Sequence, residues 1–187
     1  PAGMSAEAHL SPAPIREWRD VDRATFESEI FPSNEPAVIR DAVSHWPAVR
    51  AGREAPAAFS SYLRSFDTGA SADTMVGPPS IDGRFFYNDE LTGLNFQRGP
   101  APLMNSLDRV IGLLEDPAPP AVYVGAVPIP AALPDFARDN VLPWLDAAIV
   151  PRLWFGNRVT VLTHYDISHN VACVVAGRRR FTLFPPE

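Results

Sequence analysis

With 187 residues, 46% of them hydrophobic and 20% charged, the chain has the composition of a globular protein and the length for one sizeable core. A formal net charge of -6 and an isoelectric point near 5.2 argue against nucleic-acid or anionic-membrane surfaces, which repel a net anion; partners are expected among small molecules and proteins. All 16 basic residues are arginine, which excludes a Walker A phosphate loop, a Schiff-base lysine and a lysine general base, and leaves arginine as the cationic anchor for any anionic ligand.

The first 14 residues read as a flexible arm. Asp22 is a plausible N-cap for a short helix over RATFESEIF, and Pro36 leads into AVIRD, which suits a strand. Trp46-Pro47 closes that unit. PAAFSSYLRSF then spaces Phe59, Tyr62, Leu63 and Phe66 on one helical face. GRFFYN is expected as a strand before a loop containing Gly and Asn. In PLMNSLDRVIGLLED, Leu103, Leu107, Val110, Ile111 and Leu114 form the clearest amphipathic helix of the chain. PAVYVGAV reads as a strand, and a Pro-rich connection with a short helix over 133–140 leads to the aromatic stretch PRLWFGN.

From Arg152 the pattern changes to strands separated by tight turns: LWFG, RVTVLTHYDI, NVACVVAG and RRRFTLFP, with Gly177 turning the last two. Helices first and an antiparallel meander afterwards predict an α+β chain ending in a β-sandwich or barrel. No apolar run approaches the roughly 18 residues of a membrane span, and no signal-peptide layout opens the chain. With one cysteine, Cys173, among apolar neighbours, a cytoplasmic location is expected.

The stretch THYDISHN is polar where a core strand is predicted. Residues two apart share a strand face, so His164 and Asp166 project together and supply two ligands of a 2-His-1-carboxylate triad of the kind that suits Fe(II). The same spacing also describes a surface histidine beside an aspartate. Ser168 and Asn170 continue that face, and a polar face within an apolar strand implies a lined cavity, because buried polar groups need partners. In RRRFTLF, Arg179 has the parity of Phe181 and Leu183; if those two face the core, so does Arg179, and a buried guanidinium needs an anion. A paired core arginine and a solvated arginine cluster at a hairpin end remain alternatives.

LWFGNRVTVLTHYDISHNVACVVAGRRRFTLFPPE resembles the cupin-like JmjC-type 2-oxoglutarate oxygenases, the group that includes the asparaginyl hydroxylase of hypoxia-inducible factor. The shared features are the aromatic strand, HYD, an Asn four residues after the Asp, a Gly-led hairpin with a basic residue two after the Gly, and Phe-Pro-Pro. Upstream, EPAVIRDAVSHWPAV and GRFFYNDELTGLNF resemble the family's N-terminal and middle segments. The resemblance implies a double-stranded β-helix (cupin, jelly roll) over residues 15–187, Fe(II) on His164 and Asp166, and 2-oxoglutarate as cosubstrate. Asn170 would line the cosubstrate pocket and Arg179 would hold its distal carboxylate, where the family usually has lysine. Some relatives have a Thr three residues before the His; here that position is Val161, flanked by Thr160 and Thr163, and Thr163 is a candidate cosubstrate contact, as is the Tyr87 phenol. His169 has the wrong parity for the cluster, His45 beside Trp46-Pro47 reads as structural, and His9 lies in the arm.

The family's second histidine ligand comes from a strand well beyond the Phe-Pro-Pro element, and here only Glu187 follows Pro186. Half a jelly roll would leave unpaired strand edges, so the 187 residues are expected to be a fragment lacking the C-terminal strands. The leading expectation is an Fe(II)- and 2-oxoglutarate-dependent hydroxylase of a protein side chain or small molecule, and the resemblance suggests a homodimer. The alternatives are a non-catalytic cupin-like module that binds a small acid, and a metal-dependent isomerase of cupin type indifferent to 2-oxoglutarate.

Overall fold

The computed structural model describes residues 14–184. The arm, His9 and the Pro-Pro pair lie outside them. The described chain forms two compact units, one up to Ala42 and one from Val43 onward.

In the first unit, β1 (Arg16–Trp18) pairs in parallel with β2 (Ala37–Ile39), and the ion pair of Arg40 with Glu17 sits at its edge. Between the strands, the Asp22 carboxylate accepts a 2.8 Å hydrogen bond from the Thr25 amide and caps α1 (Arg23–Thr25), as the sequence predicts. The helical path continues as a wider turn over Phe26–Ile30 and a tighter one over Phe31–Ser33. Asn34, at φ 51°, ends it, in the left-handed conformation that asparagine tolerates better than most residues.

The second unit opens with two helices, α2 (Pro47–Glu54) and α3 (Pro56–Arg64), each with proline in its first turn, where a missing N–H costs nothing. The short hydrophobic pieces that follow assemble into one antiparallel sheet. Its strands are β3 (Ser71–Gly77), β4 (Gln97–Pro102), β5 (Ala121–Pro128) and β6 (Arg152–Gly156), in the order β4-β3-β5-β6. Helix α4 (Leu103–Gly112) lies against this sheet and α3. Its buried side chains, Leu103, Met104 and Leu107, join Phe59, Leu63, Ala72, Val124, Val127 and Leu153 in the core. Thr74 and Ser106, both buried, satisfy each other across the helix–sheet contact through a 2.8 Å hydroxyl hydrogen bond, as buried polar groups must.

Two short helices, α5 (Ile129–Ala132) and α6 (Phe136–Asp139), replace the single helix predicted over 133–140. The link to α2 is Asn140, buried, whose Oδ1 accepts from the Ala48 amide while its Nδ2 donates to the Tyr62 hydroxyl and the Phe136 carbonyl.

Three sequence expectations are corrected. GRFFYN forms no strand; it makes only isolated bridges, Arg84 to Thr160 and Tyr87 to Leu94, because Asn88 and Asn95 fold the segment onto itself as a loop. Asn88 Oδ1 accepts from the Thr92 and Gly93 amides, and Asn95 bonds both the Phe86 amide and the Arg84 carbonyl. Strands β3 and β4 are additional: SADTMVG and QRGPAP carry Gly and Pro, which mask the alternation.

The third correction concerns the C-terminal meander. LWFG is β6, but RVTVLTHYDI, NVACVVAG and RRRFTLFP form no ladder, since no strand lies beside them among the described residues. A strand exists only through its neighbour's hydrogen bonds. Gly177 does turn the chain, at φ 71°. Phe181 and Leu183 are both 55% exposed and do not face the core, so the core placement of Arg179 inferred from their parity does not hold either.

Candidate active site

On β5 the side chains alternate. Val122 and Val124 are fully buried, and Val124 belongs to the core beneath α4. Tyr123 points to the opposite face. There it meets Phe85 at 6.4 Å between ring centroids, and Phe85 stacks edge-on against Phe96 at 5.0 Å. The Tyr123 ring lies close over Gly156: a Cβ at that glycine would stand 3.0 Å from Tyr123 Cδ2 and 2.7 Å from the Val122 carbonyl oxygen. The glycine at the end of β6 is therefore needed for this aromatic floor.

The chain leaving β6 is fastened at once. Asn157 Oδ1 accepts from the Val122 amide at 3.0 Å, its Nδ2 donates to the Pro120 carbonyl at 2.8 Å, and its own amide donates to the Val122 carbonyl at 3.2 Å. Three residues on, the Thr160 amide donates to the Gly83 carbonyl at 2.9 Å. Gly83 itself, at φ 74°, has room for no Cβ beside the Arg158 carbonyl. These anchors bring residues 160–164 over the face that carries Tyr123 and Phe85. The result is an open concavity of about 210 Å³ lined by Phe85, Tyr123, Thr160, Val161, Leu162, Thr163 and His164.

Two of the predicted site residues, His164 and Thr163, thus line the same concavity. His164 Nδ1 lies 2.7 Å from the Leu162 carbonyl oxygen. A carbonyl can only accept, so Nδ1 carries the proton and the lone pair of the neutral ring sits on Nε2. Backbone fixation of one ring nitrogen is the usual arrangement that turns the other toward a metal. Asp166 is held in a comparable way. Its Oδ2 accepts from Asn170 Nδ2 at 2.8 Å, which leaves Oδ1 open.

Arg179 does not enter the core, but its guanidinium lies against the Tyr123 phenol. Burial raises the Tyr123 pKa above the ordinary tyrosine value, and the Arg179 charge and hydrogen bond pull it back. Tyr123 is the member of the site that the sequence reading missed. Its signal was present in PAVYVGAV, where Tyr123 alternates with Val122 and Val124 and is the only residue of the strand with a polar tip.

Two further candidates, Tyr87 and Asn170, do not line this concavity. Tyr87 is exposed, packs edge-on against Phe86 at 5.3 Å, and is absent from the lining of the concavity; the loop made by Asn88 carries it away. Asn170, expected to line the cosubstrate pocket, turns instead to Asp166 and the Ser168 carbonyl. His45 is exposed and its backbone carbonyl accepts from Arg50, and His169 lies on the exposed turn after Asp166.

An imidazole with its Nε2 left open at an apolar-walled concavity, and a carboxylate two residues on with one oxygen open, invite comparison with known proteins. A family model described as a cupin-like domain matches residues 23–187. The chain belongs to that family, in its JmjC-type branch. It is 30% identical over 166 residues to the human bifunctional peptidase and (3S)-lysyl hydroxylase JMJD7, a match that covers 82% of this chain and 48% of that protein. It is 28% identical over 194 residues to the lysine-specific demethylase JMJ31 of Arabidopsis thaliana, covering 88% of this chain and 34% of that protein. The chain thus spans about half or less of the length of these relatives.

The donor set of this cupin-like chain suits Fe(II) as far as it goes. One imidazole nitrogen and one carboxylate oxygen, each hydrogen-bonded to a neighbour through its other atom, are donor types of the 2-His-1-carboxylate set that suits Fe(II). No group of three His, Cys, Asp or Glu side chains is placed to hold a metal among the described residues.

Proposed function

We propose that this chain carries half of the metal site and the cosubstrate anchor of an Fe(II)- and 2-oxoglutarate-dependent hydroxylase acting on a protein side chain. The observation that carries the reading is His164, whose proton is committed to the Leu162 carbonyl and whose Nε2 is thereby left as a ligand at the rim of a concavity floored by Tyr123, itself paired with Arg179. With Fe(II) bound, dioxygen would be the oxidant: one of its atoms would enter the substrate C–H bond as a hydroxyl and the other would enter succinate as 2-oxoglutarate loses carbon dioxide.

The chain's own residues supply position. His164 and Asp166 would hold the metal. Arg179, with the Tyr123 phenol beside it, offers a cation and a hydroxyl donor to the distal carboxylate of the cosubstrate, an arrangement in which charge-assisted hydrogen bonds are strong and directional. Arginine does this with a planar fork that can grip both oxygens, where a lysine would present a point charge. Thr163 and Thr160 add hydroxyls on the wall, and Phe85, Val161 and Leu162 keep that wall apolar.

The two relatives are named for activity on lysine, one as a lysyl hydroxylase and the other as a lysine-specific demethylase, so a lysyl side chain of a protein is the substrate to test first. The experiment is succinate release from 2-oxoglutarate with Fe(II), using the full-length protein. His164→Ala and Asp166→Ala should each abolish turnover, and Arg179→Ala should raise the KM for 2-oxoglutarate at least tenfold. Tight binding of 2-oxoglutarate with no succinate from any peptide would overturn the hydroxylase and leave a small-acid-binding module. Metal-dependent turnover insensitive to 2-oxoglutarate would point to non-oxidative chemistry.

A further inference from the structure

Where β3 ends, beside the residues that lead into β4, the surface carries a second open groove of about 520 Å³, lined by Val76, Pro78, Leu94, Phe96, Gln97 and Pro120. It adjoins the concavity that His164 lines: Phe85 belongs to the wall of the one and Phe96 to the wall of the other, and their rings meet edge-on at 5.0 Å. Main-chain bonds fix the outer wall. The Asn95 amide donates to the Phe86 carbonyl at 2.9 Å, its Oδ1 accepts from the Phe86 amide at 2.8 Å, and the Asn88 amide donates to the Gly93 carbonyl at 2.9 Å. Tyr87 stands opposite Leu94 in the bridge between these stretches, so the two side chains share a face; they are 54% and 45% exposed. Apolar side chains held in water around a groove of ligand size mark an interaction site.

Charge says what fits there. The loop at the end of that wall carries Asp89 and Glu90, both exposed and, among the described residues, without an ion-pair partner. Residues 82–98 hold Asp82, Asp89 and Glu90 against Arg84 and Arg98, and Arg98 is taken by Asp73. We propose that this groove docks the protein substrate: an extended segment next to the modified lysine lays an apolar side chain in it, and a basic residue of the same segment meets Asp89 and Glu90. This inference rests on the reading of the neighbouring concavity as the site of a protein hydroxylase. An extended chain advances about 3.3 Å per residue, so with the lysine in the concavity a side chain about three positions away reaches the groove. Pro78 and Pro120 give it rigid apolar surface that loses little freedom on binding. Docking is by side chains and not by strand addition, because β4, an edge strand among the described residues, carries Pro100 and Pro102 and lacks their N–H groups along that edge.

The test selects short peptides, with a central lysine and every other position randomised, on the full-length protein loaded with Mn(II) and N-oxalylglycine, an inert analogue of 2-oxoglutarate. The selected peptides should carry Leu, Ile, Met or Phe about three positions from the lysine on one side, with Arg or Lys close by. Leu94→Arg and Gln97→Trp, both at exposed positions, should each weaken the best selected peptide at least tenfold by fluorescence anisotropy, the scale of one leucine-sized side chain kept from burial, while Mn(II) affinity stays within twofold. Asp89→Asn combined with Glu90→Gln should remove the preference for the basic residue and flatten the salt dependence of binding. Unchanged peptide affinity in either Leu94→Arg or Gln97→Trp, no apolar selection, or an oligomer that dissociates in Leu94→Arg because a second copy fills the groove, overturns the proposal. Turnover separates the two levels: peptide hydroxylation undiminished in Leu94→Arg refutes the docking site alone, whereas peptides that bind through the groove and are never hydroxylated refute the hydroxylase reading, and the inference falls with it.

Discussion

Replacing Asn157 by alanine should uncouple the wall of the concavity from its floor. The side chain makes two hydrogen bonds, from the Val122 amide and to the Pro120 carbonyl, at 3.0 and 2.8 Å. Val122 is fully buried, and its amide and carbonyl both point to Asn157, so truncation leaves an amide donor without a partner at the end of β5. Each bond is worth about 1 kcal/mol net and an orphaned buried donor costs about 1–3 kcal/mol more, which gives a total of about 3–5 kcal/mol. For a domain of this size each kcal/mol shifts Tm by about 2–4 °C, so Asn157→Ala should melt roughly 6–20 °C lower. Asn157→Asp keeps the acceptor for Val122 but loses the donor to Pro120, and should fall between the two. Calorimetry reads the stability and amide hydrogen exchange reads the Val122 N–H, which should lose its protection in the alanine variant. Unchanged Tm together with unchanged Val122 protection would show that water replaces the side chain without cost and that Asn157 does not anchor the wall.

Gly156→Ala places a methyl 2.7 Å from the Val122 carbonyl oxygen and 3.0 Å from the Tyr123 ring; overpacking of this kind costs about 1–3 kcal/mol, and the tyrosine near-UV circular dichroism should change with it. Leu91 sits at φ 55° and is 70% exposed, so Leu91→Gly should relieve left-handed strain of about 1–2 kcal/mol against a smaller entropic loss and raise Tm slightly. Burial pushes the Cys173 thiol up to about 11, so it should react with iodoacetamide at pH 8 far more slowly than a free thiol and at the free rate once unfolded. The sign follows: the folded thiol keeps its proton where an unfolded one loses it, so its contribution to stability is intact below about pH 9 and is lost as pH rises toward about 11, which urea melts across that window would record. Because Arg179 pulls the Tyr123 phenol down against burial, Arg179→Ala should move phenolate formation, followed by ultraviolet absorbance, to higher pH.

What the sequence discloses and what it hides follow from the range of the interactions involved. The Asp22 cap, the amphipathic α4 and the two valines of β5 were legible because each depends on residues within a turn or on a period of two. β3 and β4 were not, because SADTMVG and QRGPAP owe their pairing to one another across a loop of some twenty residues that carries the Asn88 and Asn95 folds. GRFFYN failed in the opposite direction: its aromatic content suits a strand, and side-chain bonds from two asparagines hold it as a loop, which presents Phe85 to the concavity and takes Tyr87 away.

The site shows the same division. Parity placed His164, Asp166 and Asn170 on one face by assuming a strand, whereas the structure shows two local contacts without one: the Leu162 carbonyl orients the imidazole and Asn170 orients the carboxylate, both within four residues. These hydrogen bonds need no sheet neighbour. Tyr123 depends on distance instead. It is 41 positions before His164 in the chain, and it reaches the site only because β5 pairs with β6 and Asn157 ties the outgoing chain back to Val122. The HYD motif thus carries the proposed metal ligands and their immediate supports, whereas the concavity that His164 lines depends on strand pairing. Substitutions that spare HYD but loosen Gly156 or Asn157 should accordingly weaken cosubstrate binding while leaving metal affinity largely in place.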